Sequence, residues 1–139
     1  VCPPSQPTPT TQRVSIEADA LFAFDKSGTA DMNAAGKVKL DEFANKVKQF
    51  DKLNAIRIVG YTDRLGKEDY NQSLSERRAE TVRNYLVNRG VPAGVISAEG
   101  RGERNPVQKC SDNLSRQALI DCLQPNRRVD IEVDGSGKL

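Results

Sequence analysis

An aspartate and two arginines are the residues of this chain best placed to do chemistry. Asp63 follows the apolar run IRIVGYTD and precedes Gly66. The end of a strand is where α/β sheets commonly open a ligand crevice. Arg78 lies four residues after Leu74 and four before Val82, inside a helical apolar stripe shared with Ala79, Tyr85 and Leu86; Arg77 points away from it. Arg127 has the strand parity of Val129, Ile131 and Val133, whereas Arg128 has the opposite parity and is expected in solvent. A charge at a core-facing position needs a partner or a ligand, because burying it alone is costly. Arginine clamps a carboxylate through paired hydrogen bonds, and aspartate accepts from an ammonium. Together they suit a small zwitterion, with turn amides after Asp63 adding to the anion site. A structural ion pair between Asp63 and Arg78 explains the same pattern and stays open at this level.

Composition removes most other chemistry. The 139 residues include no histidine, which excludes Ser/His/Asp and Cys/His triads, imidazole acid–base catalysis and the usual catalytic zinc sites. No acidic pair stands out as an acid–base couple. Ser73 and Ser75 have no base beside them, and Ser73 with Glu76 reads as a helix-capping box. GRGE at 100–103 lacks the GxxxxGK[ST] pattern of a phosphate loop and reads as a plain turn. With 21 basic against 19 acidic residues the net charge is +2, short of the basic excess that nucleic-acid binders use. No Trp, three Tyr and four Phe leave little to stack on bases. The chain reads as a binding module without enzyme activity, cofactor or metal.

The elements that must position these residues follow from periodicity. Residues 1–13 hold four of the seven prolines and read as an extended linker; the domain proper is expected over 14–135, with 136–139 a flexible tail. Val14, Ile16, Ala18, Ala20, Phe22 and Phe24 alternate, which predicts one strand. Leu40, Phe43, Ala44, Val47 and Phe50 predict a helix, and residues 55–61 a second strand. RLGKEDYNQ reads as a loop before a helix from about Leu74 to Arg89, stopped by Gly90 and Pro92. A short strand at 95–99, a short core-packing helix at 114–123 and a last strand, RRVDIEV, complete the order β-α-β-α-β-α-β. That order predicts an α/β two-layer sandwich: a small mixed four-stranded sheet with helices on one face and its other face wet.

Cys110 and Cys122 lie twelve positions apart with no CxxC and no histidine, so a metal site is not expected. They read either as a local disulfide, which belongs to an oxidising compartment, or as two reduced thiols. Cys2, among the N-terminal prolines, is either an unpaired linker thiol or a lipid attachment point.

GYTDRLGKEDYNQSLSERRAETVRNYLVNRGVP resembles the peptidoglycan-associating signature of OmpA-like domains, and GRGERNPV with PNRRVDIEV resembles their closing part. The resemblance spans about residues 14–135 and implies the family's βαβαβ-αβ sandwich. It implies as ligand the diaminopimelate of the peptidoglycan stem peptide, whose side-chain end carries an ammonium and a carboxylate. By the same resemblance Asp63 meets the ammonium and Arg78 the carboxylate. Asn71 and Arg127 complete the polar pocket, amides around Leu65 and Gly66 meet the carboxylate, and Ser27 or Asp25 closes the rim. The loop SGTADMNAAG is longer than the family's and lacks its common proline. The implied setting is the periplasm, attached to the outer membrane through an upstream barrel or lipid anchor.

Overall fold

The computed structural model describes residues 10–22, 27–28 and 32–139. Cys2 and Asp25 lie outside the described residues. Four strands form one mixed sheet: β1 (Thr10–Glu17), β2 (Lys52–Tyr61), β3 (Ile96–Gly100) and β4 (Arg128–Ser136), in the order β1-β4-β2-β3. β4 runs antiparallel to both β1 and β2, and β3 is parallel to β2. The helices are α1 (Ala18–Leu21), α2 (Ala34–Lys48), α3 (Glu68–Asn88) and α4 (Arg116–Cys122). This is the α/β architecture expected from the order of elements.

Register aligns the inward side chains in rows across the sheet. Val14 pairs with Ile131, Ile131 with Ile58, and Ile58 with Ala98. Leu40, Phe43 and Val47 of α2 and Val82 and Leu86 of α3 bury against these rows. Each fully buried aliphatic side chain contributes about 1.5–3 kcal/mol. Helix α3 also makes a close approach at its middle. Gly60 and Gly100 are cross-strand neighbours, and a Cβ on either would collide with the backbone of Ser75 or Glu76. Only glycine lets α3 sit that low over the strand ends.

The structure departs from the periodicity in five places. The first strand stops at Glu17, and Ala18 turns the chain into α1; Phe22 returns only as an isolated bridge to Met32. Alanines carry no strand-specific packing, so their alternation did not bind the chain to the sheet. That strand also starts at Thr10, inside the stretch read as linker. Helix α3 begins at Glu68 rather than near Leu74, with Glu68 and Asp69 in a first turn where acidic side chains favour the helix dipole. Ser73 is therefore mid-helix and no capping box forms: its Oγ accepts from Arg77 Nη1 at 3.1 Å. Helix α4 has no fully buried residue, so it is not the core-packing helix expected. Finally, the 136–139 stretch is docked. Gln12 Nε2 donates to Gly137 O at 2.9 Å, Leu139 N donates to Gln12 Oε1 at 3.2 Å, and Leu139 packs against the core.

The far face of the sheet is wet only in part. Arg128 and Asp130 are buried there, contrary to the solvent position expected for Arg128. Arg128 lies 3.9 Å over the Tyr61 ring, donates from Nη2 to Asn105 O at 3.0 Å and pairs with Asp130 at 3.3 Å. Parity assigned its side correctly; the loop carrying Asn105 covers that side.

Candidate functional site

Strand β2 ends in Thr62–Asp63, and the chain then turns through Leu65 and Gly66 into α3. Gly66 has φ +88°, a left-handed conformation that glycine adopts without strain. Asn71, buried in the second turn of α3, fixes this turn: its Nδ2 donates to Leu65 O at 2.8 Å and to Asp63 O at 3.3 Å. The Asp63 carboxylate is gripped at both oxygens. Oδ1 accepts from Leu65 N at 2.9 Å, and Oδ2 accepts from Arg127 Nη1 at 2.7 Å.

Arg127 is the hub of this end of the fold. Its Nε and Nη2 donate to Asp19 (Nη2 to Oδ2 at 3.1 Å), and Nη1 is shared between Asp63 and Ile120 O at 3.1 Å. Burial disfavours the guanidinium charge, but hydrogen bonds to Asp19 and Asp63 outweigh it and raise its pKa above the ordinary arginine value. Asp19 reaches Arg127 because the chain leaves β1 for α1 there; Ala18 N donates to Arg127 O at 2.9 Å.

Arg78 is 5 % exposed, inside the α3 stripe as the wheel requires, while Arg77 is exposed. Its guanidinium lies 5.5 Å over the Phe22 ring. The Asp63 carboxylate is held by Arg127 Nη1 and Leu65 N. Asp63, Arg78 and Arg127 all line one cleft of about 560 Å³, with Asn71, Leu65, Gly66, Thr62 and Leu74. Six of the eight ligand-site residues expected from the sequence therefore meet in one place. Ser27 is not among the lining residues; its carbonyl accepts from Thr81 Oγ1 on α3, one turn beyond Arg78. Asp25 lies outside the described residues.

Seven lining residues were not among the expected site residues: Thr62, Leu74, Asp19, Tyr70, Arg116, Ile120 and Asp121. Asp19 was hidden by reading 14–24 as one strand, and Tyr70 by reading the start of α3 as loop. The last three lie on α4, which faces the cleft. Cys110 and Cys122 form a disulfide that fastens the end of α4 to the loop before it. Among the described residues no cluster of His, Cys, Asp or Glu could hold a metal. No described helix is long and apolar enough to cross a membrane.

The OmpA family pattern matches residues 22–119, most of the domain and all of α3. The chain belongs to the OmpA family. Outer membrane protein A of Shigella flexneri is 44 % identical over 138 residues, which cover 97 % of this chain and 39 % of that protein. This OmpA-family chain therefore spans well under half of that relative. Among solved structures, the cell wall anchor of the T6SS from Pseudomonas aeruginosa is similar at a TM-score of 0.70 and 26 % identity, covering 91 % of this chain and 82 % of that one. The peptidoglycan-associated lipoprotein from Burkholderia pseudomallei is similar at a TM-score of 0.66 and 28 % identity, covering 86 % and 88 %. None of these three names is that of an enzyme.

Proposed function

We propose that this domain binds peptidoglycan without covalent chemistry, through the diaminopimelate of the stem peptide, and so anchors an outer-membrane protein to the cell wall from the periplasmic side. The observation that carries this reading is the pairing of a buried acceptor and a buried cation in one open cleft. Asp63 is held in place by Arg127 and Leu65 N, and each carboxylate oxygen keeps a second lone pair for an ammonium. Arg78, on the α3 wall, presents a planar cation to the carboxylate of the same zwitterion. Leu65 and Leu74 supply apolar wall for the methylenes between the ligand's ends. Arg127 acts in this reading by holding Asp63, since its donors already have protein partners.

The names of the relatives support the wall as target, and a disulfide suits an oxidising compartment. The upstream part is a membrane barrel in this reading; a lipid anchor is the alternative that the lipoprotein's likeness keeps in view. The binding unit is assigned to 14–135 with the flanking strand residues that complete β1 and β4. One site of this kind binds at roughly micromolar to millimolar Kd, and many copies facing one polymer give firm attachment through effective concentration.

Titration with a diaminopimelate-containing stem peptide tests the reading. Saturable binding is expected, together with loss of binding when lysine replaces diaminopimelate, since lysine lacks the side-chain carboxylate. Equal affinity for both peptides would remove the zwitterion from the argument. Cleavage of muropeptides on long incubation would make the domain an enzyme. Binding to polyanions that falls steeply with salt and ignores the peptide would make it a nucleic-acid module.

A further inference from the structure

A ring of contacts runs around Asp63, and the disulfide is one of its links. The residue after Asp63 is Arg64, whose guanidinium donates from Nη2 to Cys110 O at 3.3 Å and pairs with Asp112. Cys110 is bonded to Cys122. Two residues before Cys122, Ile120 O accepts from Arg127 Nη1, and the same nitrogen donates to Asp63 Oδ2. The path Asp63–Arg64–Cys110–Cys122–Ile120–Arg127 therefore returns to its starting residue. Helix α4 contributes no fully buried side chain. Its seven residues are too few to hold their shape alone in water. Its placement against Arg127 depends on its attachments: the buried Leu123 that caps it, the Asn126 side chain bound to Val107 and Gln108, and the disulfide as the covalent crosslink.

We propose that the Cys110–Cys122 disulfide positions Arg127, and through it the Asp63 carboxylate, so that the crosslink governs ligand affinity and not only stability. Without it, the Ile120 carbonyl is free to leave Arg127 Nη1, and the Arg127–Asp63 bond keeps one fewer constraint. The proposal rests on Asp63 being part of the ligand site. It assigns the disulfide a positioning role; no residue of the ring beyond Asp63 need touch the ligand.

The test is a coupling measurement on the whole chain. Cys110→Ser/Cys122→Ser should keep a cooperative thermal transition and weaken stem-peptide binding about fivefold, the size expected for one compromised hydrogen bond. In an Arg127→Gln background the same double substitution should change affinity by less than about twofold, because the link it acts through is already gone. Equal losses in both backgrounds, or no loss in either, overturn the proposal. If the double variant does not fold, Arg64→Gln cuts the ring at an exposed ion pair and leaves the disulfide intact; the same Arg127-dependent loss is expected, and an Arg127-independent one counts against the ring.

A readout without ligand separates this proposal from the binding reading. In the oxidised protein the Arg127 guanidinium NMR signals, recognised by their disappearance in Arg127→Gln, should exchange slowly with water. Reduction by a dithiol should speed that exchange while the core amides stay protected. Unchanged exchange would sink the positioning role even if the peptide binds; faster exchange would sustain it even if diaminopimelate proves to be the wrong ligand.

Discussion

The two ends of the sheet's charge differ in what they leave available. On the far face, Arg13 pairs with Glu132 at 2.9 Å, Glu132 with Arg57 at 3.0 Å, Arg57 with Glu99 at 3.5 Å and Glu99 with Arg101 at 3.2 Å. Arg13 and Arg57 stand in register with Glu132, Glu99 lies diagonal to Arg57, and Arg101 follows two residues after Glu99. The signs alternate, so each charge is answered by its neighbour. At the cleft, Asp63, Arg78 and Arg127 are buried or nearly so and surround an open volume. A charged row that closes on itself stabilises a sheet slightly. The cleft charges are paired too, Asp63 with Arg127 and Arg127 with Asp19, but they border open space that a ligand can enter. The adjacent arginines at the start of β4 show the same division: Arg127 turns to the cleft, and Arg128 to Tyr61 and Asp130 on the far face.

The sharpest way to break this comparison is at Asp63. Asp63→Ala removes the acceptor and leaves Arg127 with Asp19 and Ile120 O as partners. Truncating one member of a buried charge pair at an interface costs about 2–5 kcal/mol, so stem-peptide affinity should fall at least about thirtyfold. Arg78→Ala should match it within about tenfold, by the same rule. Both variants should melt cooperatively. If either binds normally while folded, the cleft charges serve the fold and the two regions do not differ in kind.

Arg128→Ala should do the opposite. It takes away a cation buried over Tyr61 and leaves Asp130 with Ser15 Oγ. Breaking a buried pair costs about 3–5 kcal/mol, so a loss of that size is expected. Chemical denaturation measures that loss, and titration of the folded fraction should show unchanged affinity. Lost affinity with retained stability would move Arg128 into the site.

The site was legible in the sequence to the extent that charge stood where apolar residues belong. Arg78 inside a helical stripe and Asp63 at a strand end are violations of patterning, and functional sites are where patterning breaks. The same violations hid the first turns of α3. Its inward positions there are Asn71, Ser75 and Arg78, with Leu74 the one apolar residue among them. They face the turn, the glycine seat and the cleft rather than the core, so no hydrophobic period marks them. Asp19, Arg116 and Asp121 come to the cleft from segments distant in sequence, and local spacing carries no record of such meetings. Arg128 shows the converse: period two gave its side, but its burial comes from a loop more than twenty residues earlier in the chain.

A smaller effect sharpens the comparison from the far face. Glu132→Ala removes two ion pairs, with Arg13 and Arg57, whose arginines are about half exposed. Exposed pairs of this kind contribute about 0.2–1 kcal/mol each, so the total loss should stay below about 2 kcal/mol. It should shrink in high salt, where such charges are screened, and peptide affinity should not change. A loss as large as that of Arg128→Ala would mean that the ladder, not the buried pair, secures this face.

The smallest effect is expected at Arg77, next to the arginine on which the site depends. Its side chain is exposed and donates to Ser73 Oγ at 3.1 Å, one turn back along the same helix face. Alanine has the higher helix propensity, which offsets the lost contact, so Arg77→Ala should change stability by less than about 0.5 kcal/mol. It should leave peptide affinity within about twofold, since a charge that far into solvent is screened from the cleft. The two arginines differ by one position, or about 100° around α3. If Arg77→Ala weakened binding as much as Arg78→Ala, a general positive field over α3 would account for both. The cleft would then differ from the far face only in net charge, and burial would carry no special meaning.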